Sequence, residues 1–193
     1  MSLRSLLGAA LLALTGLTQA APLQLQVYNP GEAAVFPVSS TLISGEREAI
    51  LVDVQFSTRE AAELVRMVQA SGKRLTTIYI SHGDPDYYFG AETLKEIFPQ
   101  AKVVTTPAVR DRIAAKLAGK LAFWGPKMGA NAPRQPQLPD AWDGPLTVDG
   151  ESIEVRGTQG PLAHRPYLWI PGQRVLLGNI GVFGQLHVWT ADT

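Results

Sequence analysis

The chain has 193 residues, enough for one domain with a sizeable core, and its 46% hydrophobic content excludes a disordered or collagen-like polypeptide. Lys and Arg together number 17, as do Asp and Glu, so no net field draws the chain to nucleic acid or to an anionic membrane. There is no cysteine, which removes disulfides, thiolate nucleophiles and cysteine-type zinc sites, and the only three histidines are His82, His164 and His187.

Residues 1–20, MSLRSLLGAALLALTGLTQA, join one basic residue (Arg4) to an apolar stretch from Leu6 to Leu17, with small residues at Thr18 and Ala20. That order is the grammar of a secretory signal peptide, and the apolar part is shorter than the ~20 residues a spanning helix needs. A buried N-terminal helix is the alternative. The expectation is a mature chain of residues 21–193, starting at Ala21, exported to a periplasm and without a membrane span or a lipid-anchoring cysteine.

LQLQVYNP (residues 23–30) alternates as a half-buried strand does. VFPVSSTLISGEREAILVDVQ reads as two strands joined at Gly45-Glu46-Arg47-Glu48. In STREAAELVRMVQASG, Ser57 with Glu60 three residues on forms a capping box, Ala61, Leu64, Val65 and Val68 share one helical face, and Gly72 suits the C-terminal stop. TTIYI predicts a strand, AETLKEIF a short helix, AKVVTT a strand, and PAVRDRIAAKLAG a helix with proline in its first turn. Strands alternating with helices predict an α/β layered fold.

From Phe123 to Pro145 neither period is present, and five prolines and three glycines predict a loop. Trp124 and Trp142 argue against plain disorder and for a substrate-covering loop or an Ω-like structural loop. Beyond it LTVDG, SIEVRG, YLWIP and RVLLGNI read as strands, with a hairpin turn at residues 171–173.

The chemistry concentrates where the strand TTIYI stops. SHGDPDYYFG sets His82, Asp84 and Asp86 on alternate positions, which in an extended segment project to one side. In an α/β sheet, ligands gather beyond the carboxyl ends of strands. One imidazole beside carboxylates suits zinc, manganese or iron(II). An Asp-rich turn with a hydrogen-bonded histidine fits the same spacing, because Asp, Gly and Pro are also turn residues.

ILVDVQFS, the helix after it, TTIYISHGDPDYYFG and RVLLGNIGVFG come in an order that resembles the metallo-β-lactamase superfamily, over about Val27 to Thr193. Its signature at this strand is His-x-His-x-Asp-His. His82 and Asp86 match, Asp84 stands at the second histidine and Tyr87 at the last. His164 in AHRP resembles a later Gly-His-Thr/Ser-Pro histidine, and Asn179 replaces an aspartate.

The resemblance implies an αβ/βα sandwich whose second half is incomplete in this chain, lacking the last histidine; a truncated reading frame is the expected cause. It implies one divalent metal, zinc by preference with manganese or iron as alternatives, on His82, Asp84, Asp86 and His164. It implies a metal-activated water attacking an ester, lactone, thioester or amide in a small-molecule substrate. Asp86 would orient the water and Tyr87 or Asn179 would steady the oxyanion, with His187, Asn179 and Trp124 as substrate contacts. A non-catalytic descendant binding a small molecule or partner is the alternative, and the chain carries no sign of its oligomeric state.

Overall fold

The computed structural model describes residues 21–178 and residue 181. The signal-like segment 1–20, Asn179 and His187 lie outside the described residues.

The elements run β1 (Gln24–Tyr28), a 3-10 turn (Gly31–Ala33), β2 (Ser40–Ser44), β3 (Glu48–Val52), α1 (Thr58–Ser71), β4 (Arg74–Tyr79), α2 (Pro85–Tyr88), α3 (Ala91–Ile97), β5 (Lys102–Thr105), α4 (Pro107–Met128), a second 3-10 turn (Gly129–Asn131), β6 (Asp140–Ala141), β7 (Leu146–Val148), β8 (Glu151–Arg156), β9 (Tyr167–Ile170) and β10 (Val175–Leu177). A six-stranded sheet has the order β1-β2-β3-β4-β5-β6, and a four-stranded sheet the order β10-β9-β8-β7. In the larger sheet β1 to β3 pair antiparallel and β3 to β6 pair parallel, while the smaller sheet is antiparallel throughout.

The side-chain period of two sorts the core of the larger sheet into two layers. Leu42, Ala49, Leu51 and Val103 face the helices, where they pack with Leu64, Val68 and Ile113. Ile43, Ile50, Val52 and Val104 face the other way and pack on Leu146, Val148, Ile153, Leu168 and Ile170 of the smaller sheet. Leu75 and Ile78 both face the helices although three residues apart, which a regular strand forbids. The register explains it: Ala49 pairs with Leu75 and Ile50 with Thr77, so Thr76 is an extra residue.

Local signals account for the ends. The Ser57–Glu60 capping box is present in both directions, and Gly72 stops α1 at φ 66°. Asp149 and Gly150 both take positive φ between β7 and β8, as a two-residue hairpin requires. The Asp149 carboxylate then accepts the backbone N–H groups of Arg47 at 2.8 Å and Glu48 at 3.2 Å, tying the smaller sheet to the β2–β3 turn.

Two expectations are corrected. The stretch from Phe123 onward is not a loop throughout, because α4 runs to Met128 and includes Trp124. Leu117, Leu121, Trp124 and Met128 all pack on the helix-side core, so apolar spacing holds the helix together past Gly119 and Pro126. Likewise Asp84 and Asp86 are not on one extended segment: Pro85 opens the single turn of α2, a position its fixed φ favours.

Candidate functional site

The parallel strands β3, β4 and β5 end on the same side of the sheet, and the chain there forms a floor under the loop that carries His82. Asp53, directly after β3, is fully buried at φ 59°. Its carboxylate accepts the Ser81 backbone N–H at 2.7 Å and the Ser81 hydroxyl at 2.6 Å, so both oxygens are used in joining β3 to β4. Gln55, at φ 71°, donates from its side-chain amide to the Val38 carbonyl at 2.8 Å and to the Ser40 hydroxyl at 2.7 Å. The backbone of this segment is laced to the next loop, with Val54 N–H donating to the Tyr87 carbonyl and Gly90 N–H to that of Gln55. A Cβ at Gly90 would lie 1.9 Å from the Val54 carbonyl oxygen, so only glycine fits.

On that floor His82 is completely buried. Its Nδ1 accepts the Asp84 backbone N–H at 3.3 Å, and the Asp84 Oδ2 lies 3.6 Å from the same nitrogen. A neutral imidazole that accepts at Nδ1 carries its proton on Nε2, and Nε2 is buried with no hydrogen-bond partner. Burial pushes the His82 pKa down to about 4; Arg112, Arg165 and His164 act the same way, and Asp84 opposes them. The Tyr87 ring packs edge-on against the imidazole at 5.2 Å.

Asp84 precedes the one-turn helix α2 but does not cap it with its side chain. Its Oδ1 instead meets the Lys120 ammonium at 3.2 Å. Asp86 is half-buried in α2. Burial, with the Asp84 charge beside it, pushes its pKa up to about 7. Burial and the neighbouring carboxylates raise the Tyr87 hydroxyl beyond its ordinary range, which keeps it a protonated donor.

The structure thus brings His82, Asp84, Asp86 and Tyr87 into one loop and sets His164, in the β8–β9 loop, within electrostatic reach of His82. Trp124 crosses Phe36 and Phe56 edge-on at 5.4 and 5.2 Å and lines a cavity of about 200 Å³ with Ser57, Lys127 and Met128. Reading the sequence alone left out Asp53, Arg112, Lys120 and Arg165. For two of them a signal exists: Arg112, Lys116 and Lys120 recur every four residues and so share one face of α4.

A family model described as the metallo-beta-lactamase superfamily matches residues 33–178, which include every described site residue. The chain belongs to the metallo-beta-lactamase superfamily. Among solved structures, it resembles a metallo-beta-lactamase from Pontibacter korlensis at 17% identity and a TM-score of 0.52, covering 80% of this chain and 63% of that one. A crystal structure of the BLEG-1 B3 metallo-beta-lactamase matches at 13% identity and 0.56, covering 83% and 78%. A metallo-beta-lactamase family protein from Thermus thermophilus matches at 20% identity and 0.60, covering 85% and 60%. At these identities the likeness carries the fold alone, and the chain spans less than two thirds of the first and last of these structures. A search of curated protein sequences finds no match.

Superfamily membership makes a divalent metal on His82, Asp84, Asp86 and His164 the natural expectation, and the donor set can be tested for it. The buried Nε2 of His82, which has no hydrogen bond, and the nearness of the second imidazole, His164, are in favour. Against it, the Nδ1 lone pair receives a backbone N–H, and Asp84 sits against that side of the ring with its other oxygen on Lys120. A metal on Nε2 would have its partner carboxylate on the wrong side of the imidazole. Among the described residues no three His, Asp or Glu side chains come close enough together to hold a metal ion. As they stand in this structure, the residues present do not fit the metal.

Proposed function

We propose that this chain is an exported superfamily member that binds a small anionic molecule at the His82 site without a resident metal. The observation that carries the reading is the Asp84–Lys120 ion pair, because it commits the carboxylate at the second ligand position to a side chain. The charges that act most on His82 are those of Asp84, Arg112, Arg165 and the second imidazole, His164, while Asp86 and Asp53 act with Asp84 on the adjoining Tyr87. With Asp84 held by Lys120, the guanidinium groups of Arg112 and Arg165 are suited to receive a carboxylate or phosphate group. Export rests on the order of residues 1–20, and the protein recovered from a periplasmic fraction would begin at Ala21.

The test is thermal unfolding with inorganic phosphate or succinate at millimolar concentration, in the presence of a chelator. The expected result is a rise in Tm of a few degrees that Arg165→Gln removes, as mass action requires of a ligand bound only by the folded state. No rise with either anion, or a rise that disappears with the chelator, would contradict the reading.

A second reading, metal-dependent hydrolysis of an ester, lactone, thioester or amide, is favoured by the unsatisfied His82 Nε2 and by the nearness of His164. Asp86 and Tyr87 are then the groups beside the reacting atoms. Chelator-sensitive turnover of a chromogenic ester or lactone by the wild-type chain, restored by zinc or manganese, would put this reading in place of the first.

A further inference from the structure

One part of the mismatch between the site and a metal lies 36 residues along the chain from Asp84, on a different element. Resting on the metal-free reading above, we infer that the Lys120 ammonium is a tethered cation that takes over the neutralisation of Asp84 and so closes the His82 site to divalent ions.

The helix α4 is built to deliver that charge. Thr106 caps it, accepting the Val109 N–H, and Pro107 opens its first turn. Val109 and Ile113 are buried in the helix-side core, which fixes the rotation of the helix about its axis. Arg112, Lys116 and Lys120 flank those anchors at four-residue spacing, so the same rotation turns all three cations toward one side.

That side is the His82 loop. At Gly83 an added Cβ would meet the Arg112 side chain at 3.2 Å, so helix and loop are in contact immediately beside His82. Two turns further on, Lys120 Nζ reaches Asp84 Oδ1 at 3.2 Å. Asp84 is half-buried, which leaves this pair less screened than one on an open surface.

An ammonium is suited to the role. It is a compact point charge with three donors on a flexible stem, and it supplies positive charge to a carboxylate with no lone pair to share with a metal. With Lys120 in place, a divalent ion seeking Asp84 must displace an existing ion pair and approach a second positive charge. Without it, the Asp84 carboxylate is released beside His82, and the local charge moves by one unit in favour of a cation.

The experiment is calorimetric titration of zinc and of manganese into the full chain as wild type, Lys120→Met, Lys120→Arg and Lys120→Met with Asp84→Asn. Circular dichroism and a melting curve establish that each variant is folded, with Lys120→Gln replacing Lys120→Met if the latter does not fold. The expected result is weak binding by the wild type and by Lys120→Arg, at least about tenfold tighter binding by Lys120→Met, and loss of that gain in the double variant.

If the folded Lys120→Met or Lys120→Gln chain binds no more tightly than a weakly binding wild type, the role given to Lys120 is wrong while the metal-free reading stands. A gain that survives Asp84→Asn places the new ion elsewhere and also overturns the inference. One equivalent of tightly bound zinc or manganese in the wild type overturns the metal-free reading itself.

Discussion

The floor of the site and the loop above it lie within a few residues of each other and follow opposite rules. On the floor, Asp53 satisfies both carboxylate oxygens on Ser81, and Gly90 leaves no room for a side chain beside Val54. In the loop, His82 buries an unsatisfied nitrogen, Asp86 has its proton affinity raised, and Asp84 takes its partner from a helix outside the loop. The contrast shows that the floor is held by contacts made outside the loop's own side chains. The loop side chains are then free to take other partners, as Asp84 does with Lys120.

The sharpest way to break the comparison is on the floor. Gly90 has φ −71°, so its need for glycine comes from the Val54 carbonyl and not from backbone conformation. Gly90→Ala forces two main-chain segments apart and is expected to cost about 3 kcal/mol or more in urea unfolding. A cost below about 1 kcal/mol would show that the floor is looser than described.

Asp53→Ala comes next in size. It leaves the buried Ser81 N–H and hydroxyl without acceptors, for an expected loss of roughly 2 to 4 kcal/mol: two charged hydrogen bonds at about 1.5 to 3 kcal/mol each, less the cost of burying the carboxylate that the substitution removes. A stability change indistinguishable from that of His82→Ala would remove the distinction between floor and loop.

The most gradual expected effect, at most about 1.4 kcal/mol per pH unit, is in the pH dependence of the loop. His82 has its folded pKa lowered from 6.5 to about 4, so its contribution is present above pH 6.5 and is lost as pH falls toward 4. Asp86 has its folded pKa raised from 3.8 to about 7, so its contribution is full below 3.8 and is lost as pH rises toward 7. Between about pH 4 and 6.5 the two slopes oppose one another, and wild-type stability is expected to be nearly level with respect to this pair. Asp86→Asn leaves His82 uncompensated, and its unfolding free energy should fall by up to about 1.4 kcal/mol per pH unit on acidification through that window. Parallel pH profiles for wild type and Asp86→Asn would rule out the opposition.

Much of the scaffold is legible in the residues themselves. The capping box at Ser57 and Glu60, the stop at Gly72 and the two strands either side of residues 45–48 are local signals, and each is realised where its residues stand. The loop after β4 is legible for the same reason, since a polar cluster ends an apolar strand. What is not legible is anything set by distant partners. Pro85 can stiffen an extended segment or open a helix, and it opens α2 because Tyr87 and Tyr88 are buried when it does. The reach of α4 depends on the core contacts of Leu121, Trp124 and Met128, which outweigh the local preference of Gly119, Gly125 and Pro126 to end a helix. Lys120 belongs to the site only through the packing rotation of α4, and no spacing in the sequence joins it to Asp84.

The central claim is that the His82 site is neutralised from within. Its most direct test is the metal content of the wild-type chain, purified without chelators and analysed for zinc, manganese and iron. The account predicts far less than one equivalent of all three combined, in protein whose folding is established by its melting curve. One equivalent of any of them, lost together with His82 in the His82→Ala variant, would contradict it.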